Sequence, residues 1–488
     1  MNTEIKSLEP REVWSIFDRM TKIPRPSDHE EEIQRWAYNF GKNLGLETLK
    51  DDAGNVIIRK PASSGMENRK GVILQGHLDM VPQKNSDKEH NFETDPIEAF
   101  VDSDWVKARG TTLGADNGIG VSAALAVLAS KTIQHGPVEV LLTATEETGM
   151  DGANGLAPGV LQGDILINMD SEDEGELYVG CAGGEDASAL FAYSTEKVPA
   201  GFTGMKLNVT GMKGGHSGMD ISLGRGNANM VFFRILNAAY AKLGVRLASI
   251  DGGSLRNAIP REAFGLLAVN EADVADFVAL VEEISDTIKT ELAVTEPDLK
   301  ITVEQATVPS DLIDEKTQVR LTLSVVACPN GVVRMSDSME GLVETSTNLA
   351  IVKSDAQKKT ILCAALMRSS VDSAKEDLAS RIKAVFTLAG AEVSFTGAYP
   401  GWKPNMDSPI LKTMQEVYNK NFNKIPEIKA IHAGLECGIL GGKYQNWDMI
   451  SFGPTIRFPH SPDEKVNIES VKKFWDFLVV TLENIPEK

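Results

Sequence analysis

Apolar residues recur at helical spacing over residues 9–22 and again over 28–44, where "PSDHEEE" offers Ser27 or Asp28 as the candidate N-cap of the second helix. Next, "LETLKDDAGNVIIRK" reads as strand, tight turn and strand. The runs "GVILQGHLD" and "VEVLLTATEE" are almost continuously apolar, as expected of strands covered on both faces. Between them lies "GIGVSAALAVLAS", a helix of small residues. A third apolar run, "GDILINMDSED", again ends in acids. Strands separated by helices, with polar residues gathered at the strand ends, predict an α/β domain. Its sheet is mixed or parallel, flanked by helices, with a site along one edge.

From about residue 186 the texture changes. "GMKLNVTGMKGGHSGMD" is an alternating strand followed by a Gly-rich loop, "NANMVFFRILNAAYAKL" an amphipathic helix, and "SLRNAIPREAFGLLAV" a strand pair. A similar cycle returns at "QVRLTLSVVACPNGV", "VETSTNLAIVKSD", "KTILCAALMRSS" and "AKEDLASRIKAVFTLAG". Residues 186–398 therefore read as an inserted α+β domain of two related halves. "AYPGWKPNMDSP" reads as a linker, after which the helix–loop–strand texture of the first part resumes. The expected organisation is a catalytic domain built from residues 1–185 and 399–488, interrupted by the insertion.

Composition narrows the partners. The 488 residues carry a formal charge of −20, and aromatics make up 6% of the chain. Both argue against nucleic acid, which needs a basic footprint and, when single-stranded, stacking platforms. The opening "MNTEIKSLEPREVW" lacks the layout of a signal peptide, and no apolar run has the length of a membrane span. Cys181, Cys328, Cys363 and Cys437 are scattered with no CxxC pair, which suits reduced, buried thiols. The expectation is a cytoplasmic protein with neither nucleic-acid nor membrane partners.

Seven histidines separate by neighbourhood. His29, His90 and His135 sit in polar or turn contexts and are expected to face solvent. His77 ends an apolar strand with Asp79 two residues on, hence on the same face. That pair is either a hydrogen-bonded tie for a loop or a metal-binding imidazole with its orienting carboxylate. Asp116 lies in a tight turn before the small-residue helix, Glu146 and Glu147 follow a strand, Asp170 follows another, and His460 sits in a Pro-flanked loop after a further strand. Each alone has an ordinary structural explanation; together they point to a site. Two imidazoles with several carboxylates suit zinc, or manganese or cobalt in its place. The set exceeds what one zinc needs, suggesting two ions sharing a bridging carboxylate. His-Glu-x-x-His, Gly-x-Ser-x-Gly and the phosphate-cradling Gly-x-x-x-x-Gly-Lys-Ser/Thr are all absent from the sequence.

The ordered set "GHLD", "GADNG", "TATEETG", "NMDSE" and "FPHSPDE" resembles the co-catalytic zinc aminopeptidase, carboxypeptidase and aminoacylase family. Longer stretches, "GHLDMVPQKN", "RGTTLGADNGIGVSAALAVL", "GGHSGMDI", "LRNAIPREAF" and "IHAGLECGIL", are similar to its bacterial aminoacyl-histidine dipeptidase branch over residues 8–485. The resemblance implies two zinc ions at the strand ends and an inserted lid domain. It implies His77 and Asp170 for one ion, Glu147 and His460 for the other, and Asp116 bridging both. Asp79 would orient His77, and Glu146 would be the general base. His216, Arg256 and Asn257 would contact substrate, with His216 also a candidate oxyanion donor and a candidate cap of its Gly-rich turn. His432 and Glu436 would line the pocket on the catalytic side, unless His432 merely packs its loop. The implied activity is hydrolysis of Xaa-His dipeptides, β-alanyl-histidine included. Broader dipeptidase, carboxypeptidase and N-acyl-amino-acid deacylase activities remain competitors on the same scaffold. The long lid leaves open a homodimer through that domain, or a second half that replaces a partner's contribution.

Overall fold

The computed structural model describes residues 4–488. Two units account for the chain: residues 4–180, 404–430 and 435–488 form the first, and residues 181–403 with 431–434 the second. The strand Gly183–Ala192 lies wholly in the second unit, so a boundary at 185/186 would cut it. Its N-terminal end belongs with the sheet it pairs into.

The first unit is organised by one eight-stranded sheet. Its strands are β1 (Glu47–Lys50), β2 (Val56–Lys60), β3 (Val72–His77), β4 (Val138–Thr143), β5 (Ile165–Asn168), β6 (Glu176–Cys181), β7 (Glu427–Ile431) and β8 (Asp448–Ser451). They lie in the order β1-β2-β4-β3-β5-β8-β6-β7. The four central strands β4, β3, β5 and β8 run parallel. β1 and β2 form the antiparallel hairpin expected from the Asp-Asp-Ala-Gly-Asn turn, and β2 pairs antiparallel with β4. All residues of β3, β4 and β5 are buried, which explains their uninterrupted apolar runs. The helix Ala115–Ala129 is buried on nearly every side, so small residues are what fit there. Register places His77 beside Thr143 and Gln75 beside Asn168. The polar residues that follow therefore leave the sheet at one level.

The helix Arg11–Met20 buries Val13, Trp14, Phe17 and Met20, spaced as its amphipathic pattern requires. The next, Glu31–Asn43, has Glu30 at its N-cap and no side-chain cap bond. Neither Ser27 nor Asp28 caps it, because the Ser27 hydroxyl is drawn instead to the buried Asp79, 2.8 Å away. His29 is exposed, but His135 is buried and its Nδ1 donates to the Gly136 carbonyl at 2.7 Å. His90 is half-buried against the Phe92 ring. The expectation that all three face solvent holds for His29 alone. A turn position says nothing about whether the turn itself is covered.

The second unit is built on a nine-stranded sheet in which neighbouring strands run antiparallel. Helices Ala228–Leu243, Val274–Glu291, Glu315–Ala327 and Asp372–Leu388 share one apolar core with it. The two cycles of the sequence pattern meet where Asp251–Gly252 pairs with Val352–Lys353. All four cysteines are buried. Among the described residues, no helix is long and apolar enough to cross a membrane.

Candidate metal centre

The site grows from the C-terminal ends of the parallel strands. β3 ends on His77, and Asp170 follows β5. β4 ends at Thr143, but Glu146 and Glu147 do not continue it. Thr145 turns at φ 52° and the two glutamates open a short helix, Glu146–Gly149. Neighbours on a helix diverge by about 100° rather than pointing to opposite faces. Asp116 sits at the start of the small-residue helix in a non-helical conformation (φ −80°, ψ 111°). It is not the helix N-cap; that position is Gly114, left-handed at φ 70° and pressed against Arg25. His460 comes from the loop after a short strand, Ile456–Arg457, that follows β8.

These six residues converge. His77 Nε2 lies 3.1 Å from Asp116 Oδ1 and 3.3 Å from Asp170 Oδ1. His460 Nε2 lies 3.3 Å from Asp116 Oδ2 and 3.0 Å from Glu147 Oε2. The two oxygens of Asp116 therefore reach two different groups. Each group, His77–Asp116–Asp170 and Asp116–Glu147–His460, has ligand atoms within 4.8 Å of one another. Glu146 joins His77 and Glu147 in a third such group.

Asp79 is buried beneath them. Its Oδ1 lies 3.3 Å from His77 Nδ1 and accepts from Glu146 N at 3.0 Å. Its Oδ2 accepts from Glu147 N at 3.1 Å and from Ser27 Oγ at 2.8 Å. One carboxylate thus orients the imidazole and also fixes the backbone that carries both glutamates.

The electrostatics are those of a cation site. Asp79, Asp116, Glu146, Glu147 and Asp170 share this space with two imidazoles. Burial pushes Asp170 up to about 6 and Glu146 well above the usual carboxylate range, although His77 opposes both shifts. His77 is raised well above its ordinary value: burial resists the charge, but Asp170, Asp116 and Asp79 outweigh it. His460 rises to about 11 on its hydrogen bonds with Asp116 and Glu147. One His77 Nε2–H cannot serve both carboxylates it faces. Glu147 Oε1 and Asp170 Oδ1 are buried without hydrogen-bond partners. Orphaned acceptors in a surplus of buried negative charge fit divalent ions held by carboxylate and imidazole.

The remaining expected residues lie elsewhere. Glu436 is in the first unit, fully buried, accepting from Gln75 Nε2 at 2.5 Å and Thr143 Oγ1 at 2.8 Å. His432 belongs to the second unit rather than the catalytic part, and its Nε2 pairs with Ser346 Oγ at 2.7 Å. His216 Nδ1 accepts from Gly218 N (3.2 Å) and Met219 N (3.0 Å), so it does cap its Gly-rich turn. That leaves the hydrogen of the neutral ring on Nε2. Arg256 donates from Nη2 to Ser188 Oγ at 2.8 Å, with Nη1 3.4 Å from Asp186 Oδ1. The backbone carbonyl of Asn257 accepts from Ser217 N at 2.8 Å.

Three charged residues escaped sequence reasoning. Arg368 is buried in the second unit with Nη2 3.4 Å from His216 Nε2, Nη1 donating to Tyr399 OH at 3.2 Å and Nε to Ser217 Oγ at 3.4 Å. An arginine inside the apolar run "TILCAALMRSS" was the available signal. Arg25 is buried and donates to the carbonyls of Leu78 and Asp79, both at 2.9 Å, and of Gly114. Glu464, the last acid of "FPHSPDE", is buried as well.

Residues 73–484 match the model of Peptidase family M20/M25/M40. The chain is 48% identical over 486 residues to the cytosol non-specific dipeptidase of Escherichia coli (strain K12), covering 100% of both. It matches the crystal structure of aminoacylhistidine dipeptidase from Vibrio alginolyticus with a TM-score of 0.94 and 48% identity, over 100% of this chain and 99% of that one. Aminopeptidase PepT from Bacillus cereus, 16% identical, shares the fold with a TM-score of 0.57 over 98% of this chain and 99% of that one.

Proposed function

This chain belongs to Peptidase family M20/M25/M40, and on that premise we propose a two-zinc dipeptidase that cleaves Xaa-His dipeptides, β-alanyl-histidine included. The carrying observation is the carboxylate of Asp116, whose oxygens lie against His77 and His460 separately. His77, Asp116 and Asp170 would hold one ion, and Asp116, Glu147 and His460 the other. When bound, such a pair lowers the pKa of water and polarises the scissile carbonyl.

The chain's own residues supply the rest. Glu146 takes the proton of the attacking water and returns it to the leaving amine. Asp79 keeps His77 in one orientation through Nδ1 and holds the Glu146 backbone at 3.0 Å. In the second unit, His216 Nε2–H and the Arg368 guanidinium are donors 3.4 Å apart. Two converging donors suit an anionic group such as a carboxylate. Arg256 is the weaker carboxylate anchor, because Asp186 already neutralises it. Asn257, His432 and Glu436 enter the reading as substrate-side residues on the resemblance alone.

Histidine preference rests on the similarity to the Vibrio enzyme, whose name specifies aminoacylhistidine; the E. coli relative is named non-specific and cytosolic. We likewise place the protein in the cytoplasm. Its test is a panel of Xaa-His dipeptides, other dipeptides and N-acyl amino acids, followed with added zinc or manganese. Fastest turnover on free-amine Xaa-His substrates is expected. Preference for N-acyl substrates would replace this function with a deacylase.

A further inference from the structure

Asp116 and His460 arrive on separate loops, yet one side chain ties the loops together. Leu113 N and Gly114 N donate to Glu464 Oε2 at 2.6 and 2.9 Å. Ala115 N and Asp116 N donate to Oε1 at 2.8 and 3.3 Å. Four successive backbone N–H groups thus converge on one buried carboxylate. Glu464 itself closes the turn that begins after His460, its N–H donating to the Ser461 carbonyl at 3.0 Å. From the other side Arg25 holds the Gly114 carbonyl and those of Leu78 and Asp79. The Asp116 loop is clasped between a carboxylate on the His460 segment and the guanidinium of Arg25, which also holds the His77–Asp79 segment.

We propose that Glu464 is the positioning residue for the ion held by Asp116, Glu147 and His460, acting by fixing the distance between Asp116 and His460. The inference rests on the two-ion reading above. A backbone cradle of four N–H bonds does more than satisfy a buried acid. It sets the loop whose side chain must face two ligand groups at once, and ligand support of this kind governs metal affinity. Glu464→Gln keeps the volume but leaves one acceptor oxygen. Whichever way the amide turns, two of the four N–H groups meet an NH₂ instead of an acceptor.

The experiment measures zinc stoichiometry and affinity by equilibrium dialysis against a competing chelator, together with thermal melting of the metal-free proteins. Wild type should hold two ions. Glu464→Gln should hold one with affinity close to wild type and the second about 10–100-fold more weakly, with turnover restored at high zinc. A purely structural role would lower the metal-free melting temperature while leaving both affinities unchanged, and that result overturns the inference. A wild type that binds no ion pair overturns the two-ion reading itself, and this inference with it. Should Glu464→Gln not fold, Glu464→Asp, which keeps the charge and withdraws it by one methylene, carries the same comparison.

Discussion

Asp79→Asn is the sharpest perturbation of the centre, because each oxygen of Asp79 has a defined load. Oδ1 serves Glu146 N and His77 Nδ1, and Oδ2 serves Glu147 N and Ser27 Oγ. An asparagine amide at the first position would face two N–H donors. At the second it faces one, since the Ser27 hydroxyl can rotate to accept. The side chain will therefore turn its NH₂ toward Ser27 and leave Glu147 N–H unpaired. Losing one charge-assisted bond in a buried setting costs about 1.5–3 kcal/mol. A second route gives a similar figure. Despite burial, His77 and the Glu146 N–H hold the Asp79 carboxyl down to about 2 from 3.8, which corresponds to about 2.5 kcal/mol at neutral pH. The sign follows from the lowered value: this stability is fully present above about pH 4 and is lost as pH falls toward 2. Urea unfolding of zinc-stripped protein should show the Asn variant about 2 kcal/mol less stable at pH 7, with a shallower loss between pH 4 and 2. Equal stability of the two proteins at pH 7, or an unchanged acid limb, would refute the assignment of these four contacts.

Glu146→Gln should retain both ions, measured by mass spectrometry, while kcat falls by about 10²–10⁴; wild-type turnover in that variant would remove Glu146 as the base. His432, lowered to about 3 by burial and by Arg368, is neutral when folded and protonated when unfolded below its ordinary 6.5. Its contribution therefore diminishes as pH falls below about 6.5, amounting to about 2 kcal/mol between pH 7 and 5. His432→Gln should flatten that part of the melting-temperature profile, and an unchanged profile would contradict its burial as a neutral ring.

The alternation of apolar runs and helical periodicities was enough to specify an α/β sheet, since a strand buried on both faces has no polar position to spare. The same economy made His77, Asp116, Glu146, Glu147, Asp170 and His460 conspicuous at its ends, and their motifs carried the family resemblance. Tertiary structure decided what each does with its neighbours. Glu146 and Glu147 diverge from a helical turn pinned by Asp79, where the sequence suggested a strand end. Ser27 serves Asp79 instead of capping a helix, and His135 is buried by contacts no turn signal encodes. Arg25, Arg368 and Glu464 were invisible as partners because their bonds run to backbone groups or to residues far along the chain; Glu464 reaches back 348–351 positions. Periodicity reports which face of an element is covered. Which buried charge meets which donor depends on loops brought together only when the sheet is complete.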